Sequence, residues 1–137
     1  PRIIAEQYLE NEVGDLYDYK VFCFNGKAKY IMYLCDRKNG LKMAFYNTEW
    51  EKQPFTYSYP QMEEHVEKPN CLKELIEISE KIAKDFEIVR VDFYILNNGN
   101  IKFGEVTLAS AGGYCKWFPK EYNAMLGEMI NLSGIRR

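Results

Sequence analysis

The sequence predicts an α+β fold, a mostly antiparallel sheet flanked by two helices, and three observations predict it. Runs of β-branched and aromatic residues flank Asn25-Gly26 and Asn98-Gly99, the strongest short signal for a β-hairpin. Apolar residues recur at helical spacing over 71–86, and again from Pro119 onward. The 137 residues are 47% apolar, with 11 Tyr and 8 Phe, enough to build one core without a linker or repeat. A single domain over 1–137 is the expectation.

Taken in order, residues 2–9 (RIIAEQYL) read as a strand, rich in Ile, Tyr and Leu. A polar stretch over 10–15 leads to a hairpin with arms 17–24 and 27–35. A turn at 36–40 and a strand at 42–47 follow. Over 48–69 periodicity dissolves, and Trp50, Phe55, Tyr57 and Tyr59 sit among charges and prolines. An ordered loop pinned to the core by its aromatics is expected there, although these rings could also stack on a sugar or base.

Residues 71–86 form the clearest helix. Asn70 is its candidate N-cap, and Leu72, Leu75, Ile76, Ser79, Ile82, Ala83 and Phe86 share a face. Glu77–Lys81 and Glu80–Lys84 have the spacing of ion pairs on the solvated side. Strands at 88–96 and 101–108 enclose Asn97-Asn98-Gly99-Asn100, and a loop with Gly112-Gly113 follows. The second helix carries Tyr122, Met125, Leu126, Met129 and Ile130 as its stripe and ends at Ser133-Gly134.

Composition excludes several classes of function. A net charge of −2 gives no bulk field for nucleic acid or anionic membrane. Cys23, Cys35, Cys71 and Cys115 are widely spaced with one histidine, His65, so zinc-finger spacing is absent. His65 lies in a charged stretch and is expected to face solvent. No apolar run approaches 18 residues. The expectation is a soluble, cytoplasmic protein with reduced cysteines and no membrane span. Opening at Pro1 without an initiator Met, the sequence reads as part of something longer.

Register points to chemistry. With Asn98-Gly99 central in a type I′ turn, Asp92 falls opposite Glu105 and Arg90 opposite Thr107, all on one side with Tyr94 and Phe103. Val89, Val91, Phe93, Val106 and Leu108 fall on the other. Carboxylates opposed at about 5 Å repel by on the order of 3 kcal/mol at an effective dielectric of ~20. Arg90, a shared proton or a cation must offset that. A hard divalent ion with oxygen ligands is one answer, and a cross-strand salt-bridge cluster on a solvated face is the other. The same reasoning about Asn25-Gly26 sets Asp18, Lys20 and Phe22 on a face with Tyr33, Ile31 and Lys29, where Lys20 meets either a phosphate or water.

The run VRVDFYILNNGNIKFGEVTLASAGGY (89–114) resembles the carboxy-terminal metal-binding segment of ATP-grasp ligases. With IAEQYLE and DLYDYKVFCFNGK ahead of it, the chain most closely resembles the TupA-like branch, linked to teichuronopeptide and cell-surface polysaccharide synthesis. The resemblance implies the carboxy-terminal subdomain of that fold, with ATP and Mg²⁺ as cofactors. Asp92 and Glu105 would hold the metal, and Thr107 stands where the family pattern has Asn as third ligand. Arg90, Lys20 and Asp18 would be the catalytic residues: Arg90 on the transferring phosphoryl group, Lys20 on the phosphates, Asp18 orienting Lys20 or a substrate. The strand carrying Glu6, Gln7 and Leu9 would bind adenine, and Gly112-Gly113, with Cys115 nearby, would admit the acceptor.

The chemistry so implied joins a carboxylate to an amine through an acyl-phosphate. The family's amino-terminal lobe, with a further lysine and a glycine-rich loop, has no counterpart in these residues. The expectation is therefore a fragment or half-site that binds nucleotide weakly and needs that lobe or a partner protein. Two other functions stay open: a non-catalytic binding module docking through exposed aromatics, and a glycosyl- or glycan-phosphate transferase using the same carboxylates.

Overall fold

A computed structural model of the chain describes residues 2–9, 11–12, 16–36, 40–57 and 59–133. The predicted hairpins, third strand and helices are all present. In chain order they are β1 (Asp18–Phe24), β2 (Lys27–Cys35), β3 (Lys42–Asn47), β4 (Thr56–Tyr57), α1 (Leu72–Ala83), β5 (Ile88–Ile95), β6 (Ile101–Thr107), β7 (Trp117–Phe118) and α2 (Glu121–Glu128). Five strands form one sheet in the order β3-β2-β1-β5-β6, with every neighbouring pair antiparallel. β4 and β7 pair separately. The fold class is the α+β arrangement expected.

Both sheet faces are covered around β1 at the centre, which is buried along nearly its whole length and apolar from Val21 to Phe24. On one face Val21, Ile31, Tyr46 and Val91 pack against Leu72, Leu75 and Ala83 of α1. On the other, Phe22, Met32 and Phe45 pack under Phe55, Tyr57 and Leu126. Each fully buried side chain of this size contributes about 1.5–3 kcal/mol. The expected aromatic-pinned loop is therefore real for Trp50, Phe55 and Tyr57, all buried, whereas Tyr59 is 45% exposed.

Several local expectations are overturned. Residues 2–9 form no strand, and Ile3, Ile4 and Tyr8 are exposed. Propensity alone does not make a strand, and among the described residues no sheet edge pairs with this segment. Cys71 rather than Asn70 occupies the N-cap of α1 and makes no side-chain capping bond. Glu80 does not serve a helical pair with Lys84 but accepts hydrogen bonds from Lys27 Nζ at 2.8 Å and Ala28 N at 3.3 Å, because β2 passes beside it. Phe86 lies beyond the end of α1 and is exposed. Most of the stretch at 10–15, part of the turn at 36–40, and Gly134 lie outside the described residues.

The first hairpin turns as expected, with Asn25 and Gly26 both at positive φ and Phe24 paired to Lys27. A bulge then places Cys23 opposite Ala28 but Phe22 opposite Tyr30. Lys29 is the extra residue, so Asp18, Lys20 and Phe22 share their face with Leu34, Met32 and Tyr30, not with Tyr33, Ile31 and Lys29.

Candidate active site

The second hairpin sets the site, and it does so by two departures from an ideal type I′ turn. Gly99 N donates to Leu96 O at 2.8 Å and Leu96 N donates to Asn100 O at 3.0 Å, closing a three-residue loop over 97–99 with Gly99 at φ 79°. That loop shifts the neighbouring register by one, so Phe93 pairs with Phe103 and Tyr94 with Lys102. A bulge between Asp92 and Phe93 then absorbs Gly104 and shifts the register back. Asp92 thus faces Glu105, and Arg90 faces Thr107, as the sequence reading required. Phe103 moves to the opposite side from that expected and meets the Phe93 ring with centroids 6.2 Å apart.

Arg90 is the hub. Its Nε donates to Asp92 Oδ1 at 2.7 Å and its Nη2 to Asp92 Oδ2 at 2.8 Å, a bidentate fork. Nη2 also reaches Glu105 Oε1 at 3.3 Å and Thr107 Oγ1 at 3.1 Å, while Nη1 donates to Ser110 Oγ at 3.0 Å. Thr107 Oγ1 donates to Glu105 Oε1 at 3.2 Å. From the other side, β1 presents Lys20 directly opposite Asp92, and its Nζ donates to Asp92 Oδ2. The repulsion between the paired carboxylates is therefore offset by cations of the protein itself.

The site is graded in exposure. The side chains of Asp92, Arg90 and Lys20 are 6%, 12% and 16% exposed, while Glu105 is 64% exposed at the rim. Burial works against the Arg90 charge. The hydrogen bonds and negative charge of Asp92, reinforced by Tyr57, outweigh it and hold the guanidinium pKa above its ordinary value. Burial pushes the Tyr57 phenol up, against the opposing pull of Arg90.

Arg90, Lys20, Asp92, Glu105 and Thr107 thus converge. Asp18 lies two residues from Lys20 along β1, buried and paired with Tyr94. The solvated alternative for Lys20 does not hold, since its side chain is largely buried and paired with Asp92. Glu6, Gln7 and Leu9 are not in a strand; Glu6 and Gln7 are exposed and Leu9 half-buried. His65 is exposed as expected. No two cysteines form a disulfide, and Cys115 is half-buried beside the site.

Sequence reasoning missed Ser110 and Tyr57 as partners of Arg90. Ser110 lies in a run of small residues after β6, and no register links it to β5. Tyr57 is brought over the sheet face only by the long loop before α1.

Asp92, Glu105 and Thr107 are an all-oxygen donor set of the kind a hard divalent cation takes. Among the described residues no group of three or more His, Cys, Asp or Glu side chains forms a closed metal cage. Two carboxylates suffice for Mg²⁺ when phosphate oxygens and water complete the octahedron, so the donor set fits that ion. No helix among the described residues is long and apolar enough to cross a membrane.

The sequence profile of the family described as TupA-like ATPgrasp matches residues 1–131. No curated protein and no solved structure matches the chain.

Proposed function

The chain belongs to the TupA-like ATP-grasp family, and from that premise we propose that it is the nucleotide- and metal-binding part of an ATP-dependent carboxylate–amine ligase of cell-surface polysaccharide synthesis. The observation that carries the reading is Arg90 held between Asp92 and Glu105, with Lys20 on the same carboxylate.

Asp92 and Glu105 are the proposed Mg²⁺ ligands, with Thr107 Oγ1 as a further oxygen. The bound ion would supply positive charge beside the β- and γ-phosphates. Lys20 and Arg90 suit phosphate oxygens by charge, and the planar fork of Arg90 suits a transferring phosphoryl group. A carboxylate oxygen of the acceptor attacks the γ-phosphorus, the bond to the β-phosphate oxygen breaks and ADP leaves. An amine then attacks the acyl carbon, phosphate departs, and the amine proton passes to solvent. Positioning and charge neutralisation carry the rate in such chemistry, so cationic side chains outweigh any nucleophile.

The remaining participants are a carboxylate, an amine and the amino-terminal lobe, in the same polypeptide or in a partner protein. Glu6, Gln7 and Leu9 are proposed to meet adenine when that lobe is in place, and Asp18 to hold Lys20 in position. In the docking-module alternative, Trp50, Phe55 and Tyr57 are buried and could not serve as contacts, which leaves Tyr59 of that loop with Tyr8, Phe103, Tyr114 and Phe118 among the exposed rings. Calorimetric titration with ATP, with and without Mg²⁺, tests the proposal: Mg²⁺-dependent binding lost in both Asp92→Asn and Glu105→Gln is expected. Equal binding by the unaltered chain and both variants would overturn it.

A further inference from the structure

A cavity of about 380 Å³ opens beside Arg90, between the α2-covered face of the sheet and the loop after β6. Its walls are apolar, formed by Phe24, Ile88, Trp117, Leu126 and Ile130. Polar groups gather at one end, where Arg90, Tyr57, Thr107 and Ser110 line it. Asn123 also borders the cavity, but its side chain is committed to the backbone of Trp117 and Lys120.

The orientation of Arg90 gives this end its character. Two of its nitrogens, Nε and Nη2, face Asp92, while Nη1 is directed to the Ser110 hydroxyl. The guanidinium therefore serves the carboxylate pair with one edge and the cavity with another. A cavity near the small end of ligand sites, mostly apolar and with the Nη1 edge of Arg90 at its polar end, suits a small acid with a hydrophobic body. A sugar would leave its hydroxyls against Phe24, Leu126 and Ile130 without hydrogen-bond partners, at a cost of about 1–3 kcal/mol each.

Resting on the ligase reading above, we propose that the cavity holds the carboxylate acceptor, and that this acceptor is an acid bearing a single ring or branched aliphatic group. Its carboxylate lies at the Arg90 and Ser110 end and its apolar group between α2 and the sheet. Gly127 of α2 borders the cavity, and a Cβ added there meets nothing within 4 Å. A larger side chain at 127 therefore starts in open space at the border of the cavity.

The test titrates the full chain with 3-phenylpropionate, propionate and 3-phenylpropanol by calorimetry, and separately with Mg²⁺ and ATP. 3-Phenylpropionate is expected to bind at least tenfold more tightly than either of the others. Gly127→Phe, with Ile130→Trp as a second variant should the first fail to fold, is expected to weaken it at least tenfold and to leave Mg²⁺·ATP affinity within twofold. Equal affinity for propionate, or undiminished 3-phenylpropionate binding in a folded variant, would overturn the cavity assignment and leave the nucleotide reading standing. Binding of 3-phenylpropionate without any binding of Mg²⁺·ATP would overturn the ligase reading and leave only a carboxylate site.

Discussion

Gly104 lies against the backbone of Asp92 so closely that a Cβ at 104 would come 3.0 Å from the Asp92 carbonyl oxygen. This contact is the bulge that returns β6 to the register in which Asp92 faces Glu105. Gly104→Ala therefore requires the Asp92 backbone to give by a few tenths of an ångström, against the bulge that holds it there. Overpacking of this kind costs about 1–3 kcal/mol. A matching fall in urea-unfolding stability is expected, together with weakened Mg²⁺-dependent ATP binding. Full stability and unchanged binding in Gly104→Ala would count against the bulge as the feature that sets the site.

Arg90 compensates a buried carboxylate, so its removal is expected to cost more than a surface ion pair. Arg90→Met should lose about 3 kcal/mol, toward the low end for breaking a buried pair because Lys20 still reaches Asp92. Adding Asp92→Asn removes the orphaned charge, so the double variant should be more stable than the sum of the two single losses predicts. Denaturant unfolding of the four proteins measures the coupling. Strict additivity would show that the fork contributes nothing to the fold.

Buried neutral acids make the fold sensitive to alkali. Burial raises the Cys23 thiol from its ordinary 9.0 to about 12, and also raises the phenols of Tyr19 and Tyr33. Below pH 9 these groups are protonated in both folded and unfolded chains, and their contribution is fully present. As pH rises further the unfolded chain releases its protons first, so stability falls between about pH 9 and 12. Melting temperature against pH should be flat from 7 to 8.5 and decline above 9. In Cys23→Ala the decline above pH 9 should be shallower, because burial also raises the Cys71 thiol and the phenols of Tyr19 and Tyr33.

The long loop before α1 is held by Phe55, which is wholly buried against Phe45 and Trp117 with ring centroids 5.1 and 5.4 Å away. Phe55→Ala should cost about 3–5 kcal/mol. Tyr59→Ala, at a residue 45% exposed, should stay within about 0.5 kcal/mol. Thermal melts of the pair separate a loop that is part of the core from one that merely covers it.

Much of this was legible in the sequence, because the asparagine–glycine turns and apolar periodicity are local signals. The pairing of Asp92 with Glu105 was also legible, though by a route the structure corrects: the turn holds one residue more than a type I′ turn, and the Gly104 bulge compensates. Bulges are what local reading misses. In the first hairpin the bulge at Lys29 is not compensated, and the predicted partners of Lys20 and Asp18 were wrong for that reason. The strand assigned to 2–9 failed because propensity says nothing about whether a partner strand exists. Ser110 and Tyr57 were out of reach because only the path of long loops brings them to Arg90.

The most direct measurement is a crystal structure of the chain with Mn²⁺ in place of Mg²⁺ and a non-hydrolysable ATP analogue. An anomalous peak is expected between Asp92 and Glu105, bonded to an oxygen of each and to the analogue's phosphates, with Lys20 and Arg90 redirected toward phosphate. A fully occupied analogue with no metal between those side chains, and the Arg90–Asp92 fork intact, would contradict the account.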